Sequence, residues 1–151
     1  MESKNSKLIC TMIDALGPIK WLDNNRIIGR QNFGEKNNLV IVEFVGGSEL
    51  GECISTGLAR QIDRIELHLE GQAARVASHR DGKLSMVNLV TRNIAFVKTI
   101  DYLELTTVDF VEHRSADVSM ELVSPDGNKI LRRIIDQSGI VDHLEVVKYV
   151  Y

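Results

Sequence analysis

The hydrophobic pattern of this chain is typical of β-strands rather than helices. Residues 118–123 and 130–135 are β-branched and aliphatic runs separated by a Ser-Pro-Asp-Gly turn. Proline presets φ, aspartate bonds back to the backbone and glycine accepts a positive φ, so the pattern predicts a β-hairpin. A second hairpin is predicted between residues 74–78 and 84–90, which flank an Asp-Gly pair. We therefore expect a meander of antiparallel strands.

The most apolar segment is residues 39–45, Leu-Val-Ile-Val-Glu-Phe-Val. Apolar residues on both sides of an extended chain predict a central strand that is covered on both faces. The Gly46-Gly47 pair behind it predicts a turn. The spacing of the glycines does not match a nucleotide-binding fingerprint, so a phosphate-binding loop is disfavoured. Glu43 interrupts the run. A buried carboxylate with a raised pKa is one interpretation, and a solvated position near the strand end is the simpler one.

Other strands are predicted from alternation and from turn residues. They cover residues 21–29 with a turn at 23–25, 65–70, 94–100, 102–111 with a bulge near 106–107, and 144–151. For residues 58–64 the sequence pattern does not distinguish a helix from a strand.

A single helix is predicted near the start of the chain. Apolar residues recur at helical spacing over residues 7–16, and Gly17-Pro18 supplies a stop signal.

These elements predict a mainly β protein. We expect a single domain over residues 1–151, folded as an antiparallel β-barrel or a two-sheet sandwich with a short N-terminal helix. Residues 1–6 are interpreted as a flexible polar tail. A parallel α/β fold is disfavoured because helical patterns do not alternate with the strands.

Composition restricts the class of protein further. Hydrophobic residues make up 44% of the 151 residues, charged residues 26%, and the formal net charge is −3. No apolar run approaches the roughly 18 residues of a membrane-spanning helix, so we expect a soluble protein with no membrane partner. The N-terminus does not resemble a secretory signal, which favours a cytoplasmic or a virion location. The isolated Cys10 and Cys53 suit reduced thiols.

No constellation of catalytic, cofactor-binding or metal-binding residues emerges from the sequence. The four histidines each lack a second His or Cys at ligand spacing, so no metal and no cofactor is predicted. These histidines are His68, His79, His113 and His143. Cys53 or Ser55 would need a nearby base to act as a nucleophile, and sequence cannot locate one. An enzyme is therefore less favoured than a non-enzymatic protein.

Two segments are candidates for a protein interface. Arg132 and Arg133 are neighbours in a predicted strand, so one of them lies on the apolar side. This arginine either guards an edge strand or faces a partner subunit, a pore or an anion. Lys148, Tyr149 and Tyr151 belong to a terminal strand whose aromatic residues suit an interface.

The favoured function is that of a structural or interaction protein that associates with itself or another protein through sheet edges. A homo-oligomer, such as a ring- or tube-forming virion-type subunit, is the example we expect. The alternative is a nucleic-acid-binding β-barrel that uses basic residues around the 74–90 hairpin. Those residues are Arg75, Arg80, Lys83, Arg92 and Lys98. A small enzyme with an unidentified cleft is the second alternative.

Overall fold

The computed structural model describes residues 4–31, 38–56, 62–78, 82–99, 121–135, 137–138 and 141–150. Within these ranges the chain forms twelve strands and one short 3₁₀ turn, Leu69–Gly71. The strands are β1 (Lys4–Cys10), β2 (Ile19–Trp21), β3 (Arg26–Arg30), β4 (Asn38–Val45), β5 (Ser48–Ser55), β6 (Arg64–His68), β7 (Ala73–Ala77), β8 (Lys83–Asn88), β9 (Ile94–Thr99), β10 (Glu121–Val123), β11 (Lys129–Ile135) and β12 (Val141–Val150).

The strands are arranged in three antiparallel sheets of four strands each. The first sheet has the order β1-β12-β11-β10, the central sheet β2-β3-β4-β5, and the third sheet β6-β7-β8-β9. None of these sheets closes on itself in the described part of the chain. The prediction of a mainly β protein is confirmed. The barrel alternative is not supported, because each sheet ends in two strands that lack a second neighbour among the described strands.

Strands β3 and β4 of the central sheet bury side chains on both faces, since successive residues of a strand point to opposite sides. Ile28, Leu39 and Ile41 pack in one apolar cluster with residues of the third sheet, including Ile65 and Val76. Ile27, Val40 and Val42 pack on the opposite face with residues of the first sheet, including Leu131 and Leu144. The prediction of a central strand over residues 39–45 is confirmed, and residues 39–42 are covered on each side, whereas Glu43 and Val45 are exposed. The packing is that of a layered, sandwich-like β protein.

Both predicted hairpins are present. β7 pairs with β8, and β10 pairs with β11 around a turn in which Gly127 has a φ of 78°. The predicted turn between β2 and β3 is also found. The final strand, β12, lies between β1 and β11. Its pairing satisfies the backbone of an apolar terminal segment.

The predicted N-terminal helix is wrong. Lys4–Cys10 form strand β1, in which Leu8 pairs with Val146 and Cys10 with Leu144. Residues 4–6, which we assigned to a polar tail, belong to this strand as well. Helical spacing places Ile9 and Leu16 on one apolar face, but their exposed fractions are 53% and 58%. The ladder offered by β12 therefore overrides the local helical pattern.

The third sheet also differs from the expectation at one point. The strand predicted over residues 65–70 ends at His68, because Leu69 and Glu70 adopt left-handed φ angles of 52° and 54°. The predicted strand over residues 102–111, with its bulge, lies outside the described residues. Residues 58–61, part of the segment 58–64 for which helix and strand were both open, also lie outside the described residues.

A candidate binding cavity beside an open sheet edge

A cavity of about 510 Å³ lies where one end of the central sheet faces two turns of the third sheet. Its volume falls within the roughly 300–1,000 Å³ typical of ligand pockets. The lining residues are Leu22, Arg26, Ile41, Glu43, Leu50, Glu52, Glu70, Gly71, Gln72, Leu89, Val90 and Arg92. We refer to this site as the interlayer cavity.

The central sheet supplies one wall through strand register. Glu43 pairs with both Arg26 of β3 and Leu50 of β5, and Ile41 pairs with Glu52. Directly opposed residues in an antiparallel pair share a face, so these side chains project toward the third sheet. A two-residue turn fixes this register. Gly46 and Gly47 have φ angles of 58° and 85°, which a type I′ hairpin requires.

The opposite wall is built from two turns with an uncommon backbone. Leu69, Glu70 and Arg92 are the non-glycine residues with positive φ in the described ranges, and Glu70 and Arg92 line the cavity. Left-handed conformations of this kind cost about 1–3 kcal/mol each and are concentrated at functional sites. The Asn88 side chain supports the second turn, since its Oδ1 accepts from the N–H groups of Val90 at 2.9 Å and Thr91 at 3.0 Å.

Charged groups line the interior of the interlayer cavity. The Arg92 guanidinium forms an ion pair with Glu52 that joins the third sheet to the central sheet. Arg26 donates from Nε to Oδ2 of Asp23 at 2.7 Å. Burial alone would raise the pKa of Asp23, but the Asn25 N–H and the Arg26 guanidinium hold that pKa below its usual value. Both arginines therefore have carboxylate partners.

Glu43 and Glu70 differ from the other charged groups of the cavity. Both are exposed, and neither carboxylate has an ion pair or hydrogen bond to any residue in the described ranges. The solvated interpretation of Glu43 is confirmed. The cavity thus contains two paired arginines and two carboxylates that have no hydrogen-bond or ion-pair partner among the described residues.

The rim of the cavity is apolar. The most exposed large hydrophobic residues of the described chain are Leu69, Val90 and Leu50, with exposed fractions of 72%, 71% and 60%. Leu50 and Val90 line the cavity, and Leu69 precedes Glu70. Clustering of such residues at one opening is typical of an interaction surface, whereas a single exposed leucine is not informative.

Among the described strands, β5 ends the central sheet and forms an open edge beside this rim. Six of its eight residues are exposed. The residues next to a two-residue turn form a hydrogen-bonded pair, so Ser48, Leu50 and Glu52 direct their backbone groups toward β4. The N–H and C=O groups of Glu49, Gly51 and Cys53 consequently point away from the sheet.

The predicted interface residues are distributed as follows. β11 lies between β12 and β10, so the edge-strand interpretation of Arg132 and Arg133 is wrong. Arg133 faces inward and is 7% exposed, whereas Arg132 lies 3.6 Å from Glu145 on the other face. Lys148 is exposed and pairs with Lys129, and Tyr149 pairs with Asn5. Tyr151 lies outside the described residues, and a partner contact by these residues stays a prediction.

The predicted nucleic-acid residues are not gathered at one described site. Arg75 lies beside Glu66 at 3.7 Å, on the face of the third sheet that points away from the central sheet. Arg92 instead pairs with Glu52 across the interlayer cavity. Lys83 belongs to β8 and Lys98 to β9, while Arg80 lies outside the described ranges.

The described histidines stand near carboxylates. Nε2 of His68 is 3.8 Å from Glu66, and Nε2 of His143 is 3.8 Å from Glu145. His79 and His113 are outside the described residues. In the described ranges, no group of three or more His, Cys, Asp or Glu side chains is placed to hold a metal ion. The described residues also contain no helix that is long and apolar enough to cross a membrane.

Sequence reasoning did not find the interlayer cavity as a site. It singled out Glu43 and Arg92 for unrelated reasons, and it did not select Arg26, Glu52 or Glu70. The cavity joins segments that are remote in sequence, so no local pattern marks it.

The comparison with known proteins adds no homologue: no protein-family model matches this chain, and no curated protein sequence matches it significantly.

Proposed function

We propose that this protein is a self-associating interaction protein in which two copies join through strand β5. The observation that carries the proposal is the open edge of β5, with the apolar rim of the interlayer cavity beside it. An exposed strand edge is a template for pairing with another chain. Burial of the rim on association would add a hydrophobic contribution to the backbone hydrogen bonds.

β5 is the least protected edge of the described sheets. Edge strands are usually blunted by short length, charged side chains (lysine above all), proline or a bulge. β2 and β10 have three residues each, while β1, β6 and β9 contain lysine or arginine. β5 has eight residues without lysine, arginine or proline, and its register with β4 has no shift. Its charged residues are the two glutamates Glu49 and Glu52, so its length, its regular register and the absence of lysine and proline favour an added strand.

The sequence of β5 is compatible with pairing to itself in an antiparallel manner. Because the odd-numbered residues direct their backbone groups outward, a two-fold pair is centred on a residue such as Gly51. In that register Glu52 lies opposite Leu50 of the second copy, and Glu49 lies opposite Cys53. No carboxylate faces another carboxylate, so the charge pattern supports this arrangement.

Light scattering over a dilution series, with matched substitutions at Cys53, tests the proposal. Cys53→Pro removes an outward N–H without removing a bond to β4, whereas Cys53→Ala keeps that N–H. We expect the wild-type protein and Cys53→Ala to show a dimer mass and Cys53→Pro to be monomeric. A wild-type protein that is monomeric at every concentration, or a dimeric Cys53→Pro variant, would refute the proposal.

A second variant covers the case in which the proline impairs folding. Cys53→Glu keeps every backbone donor but places the new carboxylate of each copy opposite Glu49 of the other. We expect a weaker dimer whose dissociation constant falls as salt rises, because salt screens like-charge repulsion. A dimer of unchanged affinity would contradict the proposed register.

A further inference from the structure

We propose that the interlayer cavity binds an amphipathic organic cation, a small molecule with an ammonium or guanidinium group on an apolar body. The inference does not rest on self-association, because the two acceptor carboxylates, Glu43 of β4 and Glu70 of the third sheet, lie outside β5. It rests on the charge balance, the apolar wall and the volume of the cavity, which are independent observations.

The charge balance favours a cation. Three glutamates and two arginines line the cavity, and both arginines are paired with carboxylates, Arg26 with Asp23 and Arg92 with Glu52. An incoming anion would compete with those existing partners. An incoming cation meets the unpaired carboxylates of Glu43 and Glu70 instead. Hydrogen bonds between charged groups are roughly twice as strong as neutral ones, so these two acceptors select the sign of the ligand.

The apolar wall favours a ligand with a hydrophobic body rather than a hydrated metal ion. Leu22 and Leu89 pack partly buried against the core cluster that the central and third sheets share, and Ile41 belongs to that cluster. Leu50 and Val90 extend the apolar surface outward to the rim. Covering this wall with an apolar ligand contributes about 25 cal/mol of favourable free energy per Å² of apolar area removed from water. Small molecules typically bind in concave sites of this mixed character.

Two contacts join the walls of the interlayer cavity and set their spacing. The Arg92–Glu52 ion pair spans the layers, and Gly71 lies so close to Leu22 that a Cβ there would be 3.3 Å from Cδ1. The left-handed Glu70 is part of the same wall. A preorganised site loses less conformational freedom on binding than a flexible one.

The test uses three probes of equal chain length: octylammonium, octanol and octanoate. Isothermal titration calorimetry and amide chemical shifts are measured on the full-length protein. We expect octylammonium to bind with about tenfold higher affinity than the other two, with shifts at Glu70–Gln72 and Leu89–Arg92. Equal affinity for octanoate, or shifts confined to other residues, would overturn the inference, as would an absence of binding at millimolar probe concentrations.

Matched substitutions identify the selecting groups. Glu43→Gln combined with Glu70→Gln keeps the side-chain size and removes both charges, and we expect about tenfold weaker binding of octylammonium. Glu121→Gln on β10 removes one exposed carboxylate away from the cavity and should leave the affinity unchanged. Unchanged binding in the double variant would contradict the inference. Cys53 is not among the lining residues of the cavity, so binding by a folded Cys53→Pro variant separates this result from the outcome for self-association.

Discussion

The guanidinium of Arg133 is bound to the carbonyl oxygen of Ala15, to which Nε donates at 2.6 Å. Its Nη2 donates to the carbonyl oxygen of Gly17 at 3.1 Å. Both acceptors belong to the loop between β1 and β2. An arginine on the inner face of β11 therefore replaces the backbone partners that this irregular loop lacks, which explains how a strand interior accommodates a cation.

We expect Arg133→Ala to lower the free energy of unfolding by about 2–3 kcal/mol, because it leaves carbonyl groups without donors in a region closed to water. Arg132→Ala is the matched control on the adjacent, outward-facing position. The ion pair between Arg132 and Glu145 is partly solvated, so we expect its loss to lower the free energy of unfolding by about 0–1 kcal/mol. Urea unfolding measures both values. Equal losses for the two variants would contradict the structural role assigned to Arg133.

Packing between Gly29 and Ile13 provides the second prediction. A Cβ on Gly29 would lie 2.6 Å from Cγ2 of Ile13, which is itself 1% exposed. We expect Gly29→Ala to destabilise the protein by about 1–3 kcal/mol through overpacking. Combining it with Ile13→Ala should cost less than the sum of the two single changes, as a double-mutant cycle would show. Additive losses would mean that the two positions do not contact each other.

The two cysteines should react very differently with iodoacetamide. Cys10 is buried and Cys53 is exposed. Burial, the hydrogen bond to Glu49 and the charge of Glu49 raise the pKa of the Cys10 thiol to about 12, so little thiolate forms near pH 8. Mass spectrometry of the dilute native protein should show modification of Cys53 alone, and both sites should react in urea. Cys53→Ala should be unreactive until unfolded. Modification of native Cys10 at the rate of Cys53 would contradict the prediction.

The raised pKa of Cys10 also predicts a pH dependence of stability. The unfolded thiol loses its proton near 9.0, whereas the native thiol keeps it to about 12. The contribution of the protonated Cys10 thiol to the free energy of unfolding is therefore complete below pH 9. It is lost as the pH rises from 9 to 12, by at most about 1.4 kcal/mol per pH unit. The difference in unfolding free energy between the wild-type protein and Cys10→Ala should be constant below pH 9 and shrink above it. Parallel curves would argue against the raised pKa.

Short-range patterns were sufficient for much of the fold. The two hairpins, the turn at residues 23–25 and strand β4 were predicted because turn chemistry and alternation act over a few residues. Strand β5 was not predicted as a continuous strand, since Gly51 interrupts its pattern. Gly51 fits because Met12 approaches it closely, so that a Cβ there would overlap the Met12 side chain. Only the tertiary contact explains that glycine.

The sequence by itself determined that the chain is mainly β, where it turns, and that residues 39–45 form a central strand, of which residues 39–42 are buried. The tertiary structure decided the rest, because the deciding partners are far apart in sequence. β1 is a strand because it pairs with β12, Arg133 is an inner residue because it meets Ala15, and the interlayer cavity exists because β3, β4 and β5 face the turns at residues 69–72 and 89–92. Local propensity cannot encode such contacts, since their free energy arises only when remote segments pack together.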